Sequence, residues 1–289
     1  MTIKIVVVGS INMDLVTSVK KVPVAGETVM GGTFATMPGG KGANQAVAAA
    51  RLGAEVSMIG CLGRDYLGDE LLEVLKKEGI QTEAVKRVEG SSGTASIILS
   101  EGDNRIIVVP GANHKLKPEW IEENRSLIEE SDLLLVQLEV PLDCVQKALE
   151  IAKAAGTRTI LNPAPITQLP AEIVQSADYI TPNEHEYQAL LEDFSNEELY
   201  SKLIITLGDE GVLYYEDGKK RQIPAHSVKV CDTTGAGDTF NGALGVAICE
   251  GSKLGEAIRF ANKAAALSIT KMGAQKGMPT KEMLNQFSQ

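Results

Sequence analysis

The chain has 289 residues, of which 44% are hydrophobic, so it is long enough to form one large α/β domain with a sizeable core. It carries 28 Lys and Arg against 38 Asp and Glu, and the net charge of −10 disfavours a nucleic acid or an anionic membrane as a partner. The four cysteines are scattered without a C-x-x-C pair, which favours reduced thiols over a zinc site.

A β-branched run at residues 3–8 predicts a buried strand of a parallel sheet. The N-terminus lacks the pattern of a signal peptide, and no apolar run approaches the ~20 residues of a membrane span, so we expect a cytoplasmic protein. Asn12 and Asp14 follow this strand, at the edge where open α/β sheets bind ligands, and their side chains suit sugar hydroxyls. The alternative is a turn in which both side chains bond to the local backbone.

Two stretches of short alternating segments predict antiparallel hairpins. The first has strand-like segments at 15–19 and 27–30, separated by Pro23 and Gly26 and followed by a glycine pair. The second has segments at 95–99 and 105–109 around a turn at 100–104. Together they predict a small sheet, built from about 13–38 and 93–112, within a single domain that spans 1–289. Such a sheet leaves a face to cover, so we expect a lid or the surface of a homodimer.

Between the hairpins, a Gly-rich segment at 38–46 leads into a predicted helix that ends near residue 52. It is not a Walker A motif, because Gly42 follows Lys41 and Ala35 takes the place of the first glycine. The dinucleotide-binding fingerprint also fails, both after the first strand and at Gly235. Twin glycines beside Lys41 and Asn44 instead suit the close approach of a small polyol.

From residue 56 onward, predicted strands alternate with helices. The strands are at 56–60, 132–137, 158–161, 178–181 and 202–207, and the helices are at 65–77, 118–130, 141–155 and 254–272. This alternation predicts a Rossmann-like α/β fold, with a central, mostly parallel sheet and helices on both faces. Glu139 follows the predicted strand at 132–137. Asn183 and Glu186 follow the predicted strand at 178–181, where their side chains suit Mg²⁺ binding through water. The role of an ordinary acidic residue at the start of a helix explains Glu186 equally well.

The segment Cys-Asp-Thr-Thr-Gly-Ala-Gly-Asp-Thr-Phe-Asn-Gly at 231–242 predicts the chemical centre. Apolar residues recur with helical spacing from Ala236 onward, which places Gly235 and Gly237 at a helix N-terminus. Unpaired N–H groups and the helix dipole favour a phosphate-like anion there. Asp238 lies in the first turn and can accept a proton. The alternative is that Asp232 and Asp238 are helix-capping acids.

Two of these segments, Gly-Gly-Lys-Gly-Ala-Asn-Gln at 39–45 and Asp-Thr-Thr-Gly-Ala-Gly-Asp-Thr-Phe at 232–240, resemble the signatures of the ribokinase family of sugar and nucleoside kinases, the PfkB carbohydrate kinases. The resemblance implies a ribokinase-like fold and ATP-dependent phosphorylation of D-ribose at its 5-hydroxyl group, to give D-ribose 5-phosphate and ADP. It also implies Mg²⁺ and a monovalent cation, usually K⁺. Family members for fructose, deoxyribose, adenosine or a keto-deoxy sugar acid are the alternatives. The polar set Asn12, Asp14 and Glu139 favours a small neutral polyol over a nucleoside.

The resemblance further implies a role for single residues. Asp238 matches the catalytic base, and the amides of Gly235, Ala236 and Gly237 match the anion hole. The positions that match ribose-binding residues are Asn12, Asp14, Gly40, Lys41, Asn44 and Glu139, together with Asp238. The positions that match the nucleotide site are Asn183, Glu186, Thr206, Gly208, Gly211, Gly237 and Asn262. Those that match the monovalent-cation loop are Asp232, Thr234, Ser268, Lys271, Gly273 and Gly277.

Two features depart from the family pattern. Gly277 stands where some members have serine, and the segment 187–205 is short, which predicts a truncated covering helix. Two functions are alternatives to that of a kinase. Intact Asp238 and its neighbouring glycines speak against a sugar-binding regulator that has lost phosphoryl transfer, and the failed fingerprints speak against a Rossmann oxidoreductase.

Overall fold

The computed structural model describes residues 2–100 and 103–287. The strands are β1 (Lys4–Val8), β2 (Asn12–Val19), β3 (Gly31–Gly39), β4 (Glu55–Gly63), β5 (Val85–Val88), β6 (Gly93–Ser100), β7 (Asp103–Val109), β8 (Leu133–Val136), β9 (Arg158–Leu161), β10 (Tyr179–Ile180), β11 (Ile204–Thr206), β12 (Val212–Glu216) and β13 (Lys219–Ile223). The helices are α1 (Lys41–Arg51), α2 (Tyr66–Lys77), α3 (Pro118–Glu123), α4 (Arg125–Glu129), α5 (Leu142–Ala155), α6 (Ala171–Ser176), α7 (Glu184–Asp193), α8 (Asn196–Leu199), α9 (Ala236–Cys249), α10 (Leu254–Ser268) and α11 (Lys281–Gln286).

The central sheet is parallel and has the order β10-β9-β8-β1-β4-β5. β1 pairs with β4 on one side and with β8 on the other. At the β10 edge, single bridges from Ile180 to Leu203 and from Asn183 to Thr206 continue the sheet into the antiparallel strands β11, β12 and β13. This arrangement confirms the predicted α/β fold.

Helices cover both faces of the sheet, as the unbroken β-branched run of β1 requires. Ile5 and Val7 point into one core with α1, α9 and α10, while Val6 and Val8 point into a second core with α5 and α6. Helix α9 packs against both α1 and α10. The start of α9 therefore lies beside the start of α1, where the predicted site residues are concentrated.

The small sheet has the order β3-β2-β6-β7, with β2 and β6 parallel and the two outer pairs antiparallel. The predicted strand at 27–30 is wrong. Glu27 instead closes a turn, in which its N–H donates to the Val24 carbonyl (3.0 Å) and its carboxylate accepts from the Val24 N–H (3.0 Å). β3 begins at the glycine pair that was expected to break the segment. Residues 101 and 102 of the predicted turn at 100–104 lie outside the described residues.

Two predicted helices also differ from the structure. The helix expected at 118–130 is split into α3 and α4 at Asn124, whose Nδ2 donates back to the Trp120 carbonyl (2.8 Å). The helix expected to reach residue 272 ends at Ser268, because the amides of Cys231 and Asp232 bind the carbonyl of Ile269 and draw the chain into a loop (2.8 and 3.2 Å).

The short segment 187–205 contains the end of α7 and the single-turn helix α8. Beside them Tyr200 stacks on Tyr215 of β12, with 4.3 Å between ring centroids. Within residues 2–100 and 103–287, none of the helices is both long enough and apolar enough to cross a lipid bilayer.

Candidate active site

Helix α9 begins at Ala236 after Gly235, which has a φ of 78°. This left-handed conformation favours glycine, and a Cβ at position 235 would also lie 2.9 Å from the Ala274 side chain. The Ala236 N–H donates to the Thr233 carbonyl (3.2 Å), so one of the three amides expected to form the anion hole already has a partner in the loop. The turn still presents the positive end of a 14-residue helix.

Asp238 lies in the first turn of α9 and is 8% exposed. Its Oδ2 accepts from Asn44 Nδ2 (2.9 Å), and its Oδ1 accepts from Gln45 Nε2 (3.1 Å). Both donors belong to α1, so Asp238 bonds to another helix and does not cap its own. Asn44 is held in turn by Gln275, whose Nε2 donates to Asn44 Oδ1 (3.0 Å). The capping interpretation of Asp238 is therefore wrong.

A cavity of about 490 Å³ lies on one side of Asp238. It is lined by all the positions that match ribose-binding residues, namely Asn12, Asp14, Gly40, Lys41, Asn44, Glu139 and Asp238. Its opposite wall comes from the small sheet, through Ala95 and Ile97 of β6 and Ile106 and Val108 of β7. We call this space the sugar-side cavity.

Asn12 and Asp14 lie in β2 and not in the turn that was considered as the alternative. Successive side chains of a strand point to opposite faces, so these two residues share a face. Asn12 Oδ1 accepts from Asn113 Nδ2 (2.7 Å), and Asn113 Oδ1 accepts from the Ile11 N–H (3.0 Å). Asn113 thus fixes the orientation of the Asn12 amide, and within residues 2–100 and 103–287 the NH₂ group of Asn12 has no acceptor, so it is available to donate to a ligand.

Three carboxylates and one ammonium group dominate the electrostatics of the sugar-side cavity. Burial, followed by the negative charges of Glu139 and Asp238, raises the pKa of Asp14 to about 7. Burial alone would lower the pKa of Lys41, but the charges of Asp238, Glu139 and Glu186 outweigh it and raise the pKa. Glu139 accepts hydrogen bonds from Ser10 Oγ (2.5 Å) and from the Lys41 N–H (3.2 Å).

A second cavity, of about 470 Å³, lies on the other side of Asp238. Its lining includes every position that matches the nucleotide site, namely Asn183, Glu186, Thr206, Gly208, Gly211, Gly237 and Asn262. Lys41, Gly235 and Asp238 line both cavities. The start of α9 is therefore the wall that the two cavities share. We call the second space the nucleotide-side cavity.

Asn183 and Glu186 form a reciprocal cap at the start of α7, with Asn183 Oδ1 accepting from the Glu186 N–H (2.9 Å) and Glu186 Oε2 accepting from the Asn183 N–H (2.8 Å). The structural role considered for this pair is thus present. Glu186 is also buried, and this burial raises its pKa. A buried carboxylate that faces a cavity remains able to meet a cation or a proton there.

The predicted cation loop is only partly assembled around Asp232. The Asp232 carboxylate accepts from the N–H (2.9 Å) and hydroxyl (2.7 Å) of Thr234 and from the Gly273 N–H (2.8 Å). Burial acts to raise the pKa of Asp232, but these hydrogen bonds outweigh it and lower the pKa. Gly277 packs directly on the Ser268 carbonyl. Lys271 is exposed.

Several polar residues of the site were not predicted from the sequence. They are Gln45, Asn113, Gln137, Asn162 and Gln275, and each is at most 8% exposed. Gln137 and Asn162 directly follow β8 and β9, so their position at a strand end was an available signal. Gln45 lies in the Gly-rich segment at 39–45, directly after Asn44, which was also an available signal. Asn113 and Gln275 reach the site through tertiary packing, which no local pattern reveals.

The chain matches the model of the pfkB family carbohydrate kinases over residues 2–281. It is 47% identical over 288 residues to a ribokinase of Bacillus subtilis (strain 168), with 98% of each chain covered. Its structure is similar to that of a ribokinase from Thermotoga maritima, with 40% identity and a TM-score of 0.89 over 99% of this chain and 98% of that chain. It is also similar to Arabidopsis thaliana ribokinase complexed with ribose and ATP, with 30% identity and a TM-score of 0.91 over 100% of both chains. This chain belongs to the pfkB family of carbohydrate kinases.

Proposed function

We propose that this chain transfers the γ-phosphoryl group of ATP to the 5-hydroxyl group of D-ribose, giving D-ribose 5-phosphate and ADP. One observation carries the proposal: Asp238, at the start of α9, lines both the sugar-side and the nucleotide-side cavity. A base at that position reaches an acceptor hydroxyl on one side while the helix N-terminus faces a phosphate on the other. The B. subtilis relative is a ribokinase, and the Arabidopsis ribokinase was solved with ribose and ATP.

The chemistry required of the protein is positioning together with charge stabilisation. Asn12 and Asp14 hold sugar hydroxyls, and Asp238 accepts the proton of the attacking hydroxyl. Lys41 lines both cavities and keeps its positive charge, so it stabilises negative charge on the phosphoryl group as the group crosses between them. The N–H groups at the start of α9 act on the same charge.

Mg²⁺ is the first cation of the proposed reaction. In the described part of the chain no group of three or more His, Cys, Asp or Glu side chains could hold a metal. This agrees with Mg²⁺ held mainly by nucleotide phosphates and water, with Glu186 and Asn183 beside it. Bound Mg²⁺ would neutralise charge on the phosphates.

K⁺ is the second cation. The loop around Asp232 offers a carboxylate and backbone carbonyls, an all-oxygen set that suits an alkali cation. Carbonyls near Ser268, Gly273 and Gly277 would join Asp232 and Thr234 in holding it. Serine at position 277 would place its Cβ into the Ser268 carbonyl, so glycine is the residue that fits this backbone. Lys271 would contribute through its backbone carbonyl.

The small sheet forms one wall of the sugar-side cavity, which supports a role as its lid. Closure of the small sheet over the bound sugar would exclude water from the phosphoryl transfer. The outer face of the same sheet exposes Phe34 (67%) and Ile107 (62%), and we propose that a second copy of the chain covers this face. A location in the cytoplasm fits the use of ATP and the four free cysteines.

Coupled ADP release with Mg-ATP tests the proposal, with D-ribose offered beside fructose, adenosine, 2-deoxyribose and 2-keto-3-deoxygluconate, each with and without K⁺. We expect turnover that is selective for ribose and stimulated by K⁺. Preference for another sugar would keep Asp238 as the base but overturn the assignment of the sugar-side cavity. Absence of turnover with every substrate would favour the non-catalytic, sugar-binding alternative.

A further inference from the structure

Gln45 is fully buried beside the proposed base. Its Nε2 donates both to Asp238 Oδ1 (3.1 Å) and to Asn162 Oδ1 (3.2 Å). Its Oε1 accepts from Gln137 Nε2 (2.7 Å). One side chain of α1 thus connects Asp238 of α9 to residues that directly follow two central strands.

The orientation of the Gln45 amide is fixed from both ends. Asn162 Nδ2 donates to the Thr181 carbonyl (3.0 Å), so Asn162 presents its oxygen to Gln45 and requires a donor there. An ionised carboxylate accepts hydrogen bonds and donates none, so Asp238 also requires a donor from Gln45. A rotation of the Gln45 amide by 180° would place its oxygen against two oxygens and its NH₂ group against the NH₂ group of Gln137.

Gln137 holds the opposite end of the Gln45 amide, through the hydrogen bond to Gln45 Oε1. It is fully buried, and its Oε1 has no hydrogen-bond partner among the described residues. That oxygen packs against Gly9, where any Cβ would overlap it. An unpaired buried oxygen lowers stability, so the protein tolerates Gln137 for the hydrogen bond that its NH₂ group donates to Gln45.

We propose that Gln45 is a positioning residue for Asp238 and that Gln137 helps to hold the Gln45 amide in the orientation this role requires. The inference rests on the proposed phosphoryl transfer, in which Asp238 is the base. Asn44 holds the other carboxylate oxygen, so loss of the Gln45 donor leaves Asp238 free to rotate about a single remaining bond. A displacement of a reacting group by ~1 Å costs on the order of 100-fold in rate.

Two substitutions test this role. Gln45→Met keeps the length of the side chain and removes its polar end. We expect it to lower kcat roughly 10- to 100-fold while the KM values for sugar and ATP change less than about threefold. Gln45→Glu places a second carboxylate against Asp238, and the pair then shares a proton, so the acid side of the kcat–pH profile moves to higher pH.

Gln137→Met provides a second variant if the first does not fold, and we expect it to cause part of the same loss in kcat. The matched control is Gln146→Met in α5, whose Nε2 donates to Glu150 of the same helix (3.0 Å) in a solvent-exposed hydrogen bond; this variant should keep wild-type kcat. Thermal unfolding establishes that each variant is folded.

A measurement that does not depend on turnover completes the test. The side-chain amide signal of Gln45 in an NMR spectrum, identified by its absence in Gln45→Met, should shift in Asp238→Asn. An unmoved signal, or a raised KM with unchanged kcat in Gln45→Met, would overturn the proposal. If the wild-type chain turns over none of the sugars, the proposed function fails, while the NMR comparison still decides whether Gln45 holds Asp238.

Discussion

Asp238 is the residue on which the proposed chemistry depends, because it alone among the carboxylates of the sugar-side cavity also lines the nucleotide-side cavity. Its two oxygens are held by Asn44 and Gln45, so its position is set before any substrate arrives. Preorganisation of this kind lowers the barrier, because the base needs no reorientation during the reaction.

Asp238→Asn keeps the shape of the side chain and removes the base. We expect kcat to fall by about 10²- to 10⁴-fold while the affinity for ribose, measured by calorimetry, changes little. Asp193→Asn, an exposed position at the end of α7, serves as the control. A kcat within a few fold of wild type would remove Asp238 from the role of base.

The raised pKa of Asp14 predicts that the stability of the protein depends on pH. That pKa is raised to about 7 in the folded state, so the unfolded chain loses this proton first as the pH rises. The free energy of unfolding should therefore fall between about pH 4 and pH 7 and lose no more from this group above that range. Asp14→Asn removes the penalty, and we expect it to stabilise the protein at pH 8 by roughly 1–4 kcal/mol relative to its effect at pH 4.

Urea unfolding of wild type and Asp14→Asn at pH 4, 6 and 8 measures this difference. If the two proteins give parallel curves of unfolding free energy against pH, the carboxylate is ionised over the whole range and the argument from burial is wrong.

Helix α1 connects the site to the cation loop at the scale of elements. Its first turns carry Asn44 and Gln45, and its last residue, Arg51, donates to the carbonyls of Gln275 (2.5 Å) and Met278 (3.0 Å). Arg51 also forms a bidentate pair with Glu78 at the end of α2 (2.7 and 2.8 Å). One helix thereby holds both Asp238 and the loop whose Gln275 supports Asn44.

Arg51→Met tests this connection. Loss of hydrogen bonds from a partly buried guanidinium should lower the free energy of unfolding by roughly 1.5–3 kcal/mol, and kcat should fall as Gln275 loosens. The control is Arg125→Met, which removes an exposed bidentate pair with Glu122 and should change stability and kcat little. Equal effects of the two substitutions, measured by urea unfolding and steady-state kinetics, would contradict the proposed connection.

The elements that were predicted well are those whose signal is local. β1 and α9 follow from a β-branched run and from helical spacing after a Gly-rich turn, and both appear as expected. The early end of α10 could not be predicted, because it depends on backbone bonds from Cys231 and Asp232, which are distant in sequence. The break at Asn124 depends on a single side chain that competes for a backbone carbonyl.

The same distinction applies to the site. Motif spacing located Asp238, Asn44 and some of the residues that follow strands, such as Glu139 and Asn183. It did not reveal Gln275 or Asn113, whose contacts form only when the loop after α10 and the turn after β7 pack against the core. Sequence patterns therefore identified many of the residues that line the cavities, and the structure was needed to find Asn113 and Asn162 in that lining and the residues that hold it.

The small sheet connects the sugar-side cavity to the proposed assembly of two chains, because one face of the sheet lines the cavity and the other face points outward. Ile106 and Val108 face the sugar-side cavity, while Ile107, between them on β7, faces outward and is 62% exposed. Phe34, on the opposite edge strand β3, is exposed on the same outer face, and two such apolar side chains are consistent with a second copy of the chain.

Ile107→Asp should abolish this association. We expect wild-type protein to sediment as a dimer at micromolar concentration and Ile107→Asp as a monomer, since a charge in an apolar contact is not paired. Tyr66→Asp, at an even more exposed aromatic position (78%) at the start of α2, should leave the dimer intact. Identical sedimentation of all three proteins would exclude the outer face of the small sheet as the interface.

Asn12 and Asp14 belong to β2, a strand of the small sheet itself. The side chains proposed to recognise the sugar are thus carried by the same four strands that are proposed to close over it and to meet the second copy. Recognition, closure and assembly are therefore not separately adjustable in evolution. A lineage that alters β2 to accept a different sugar must at the same time preserve, or rebuild, the proposed contact between copies on the reverse side of the same sheet.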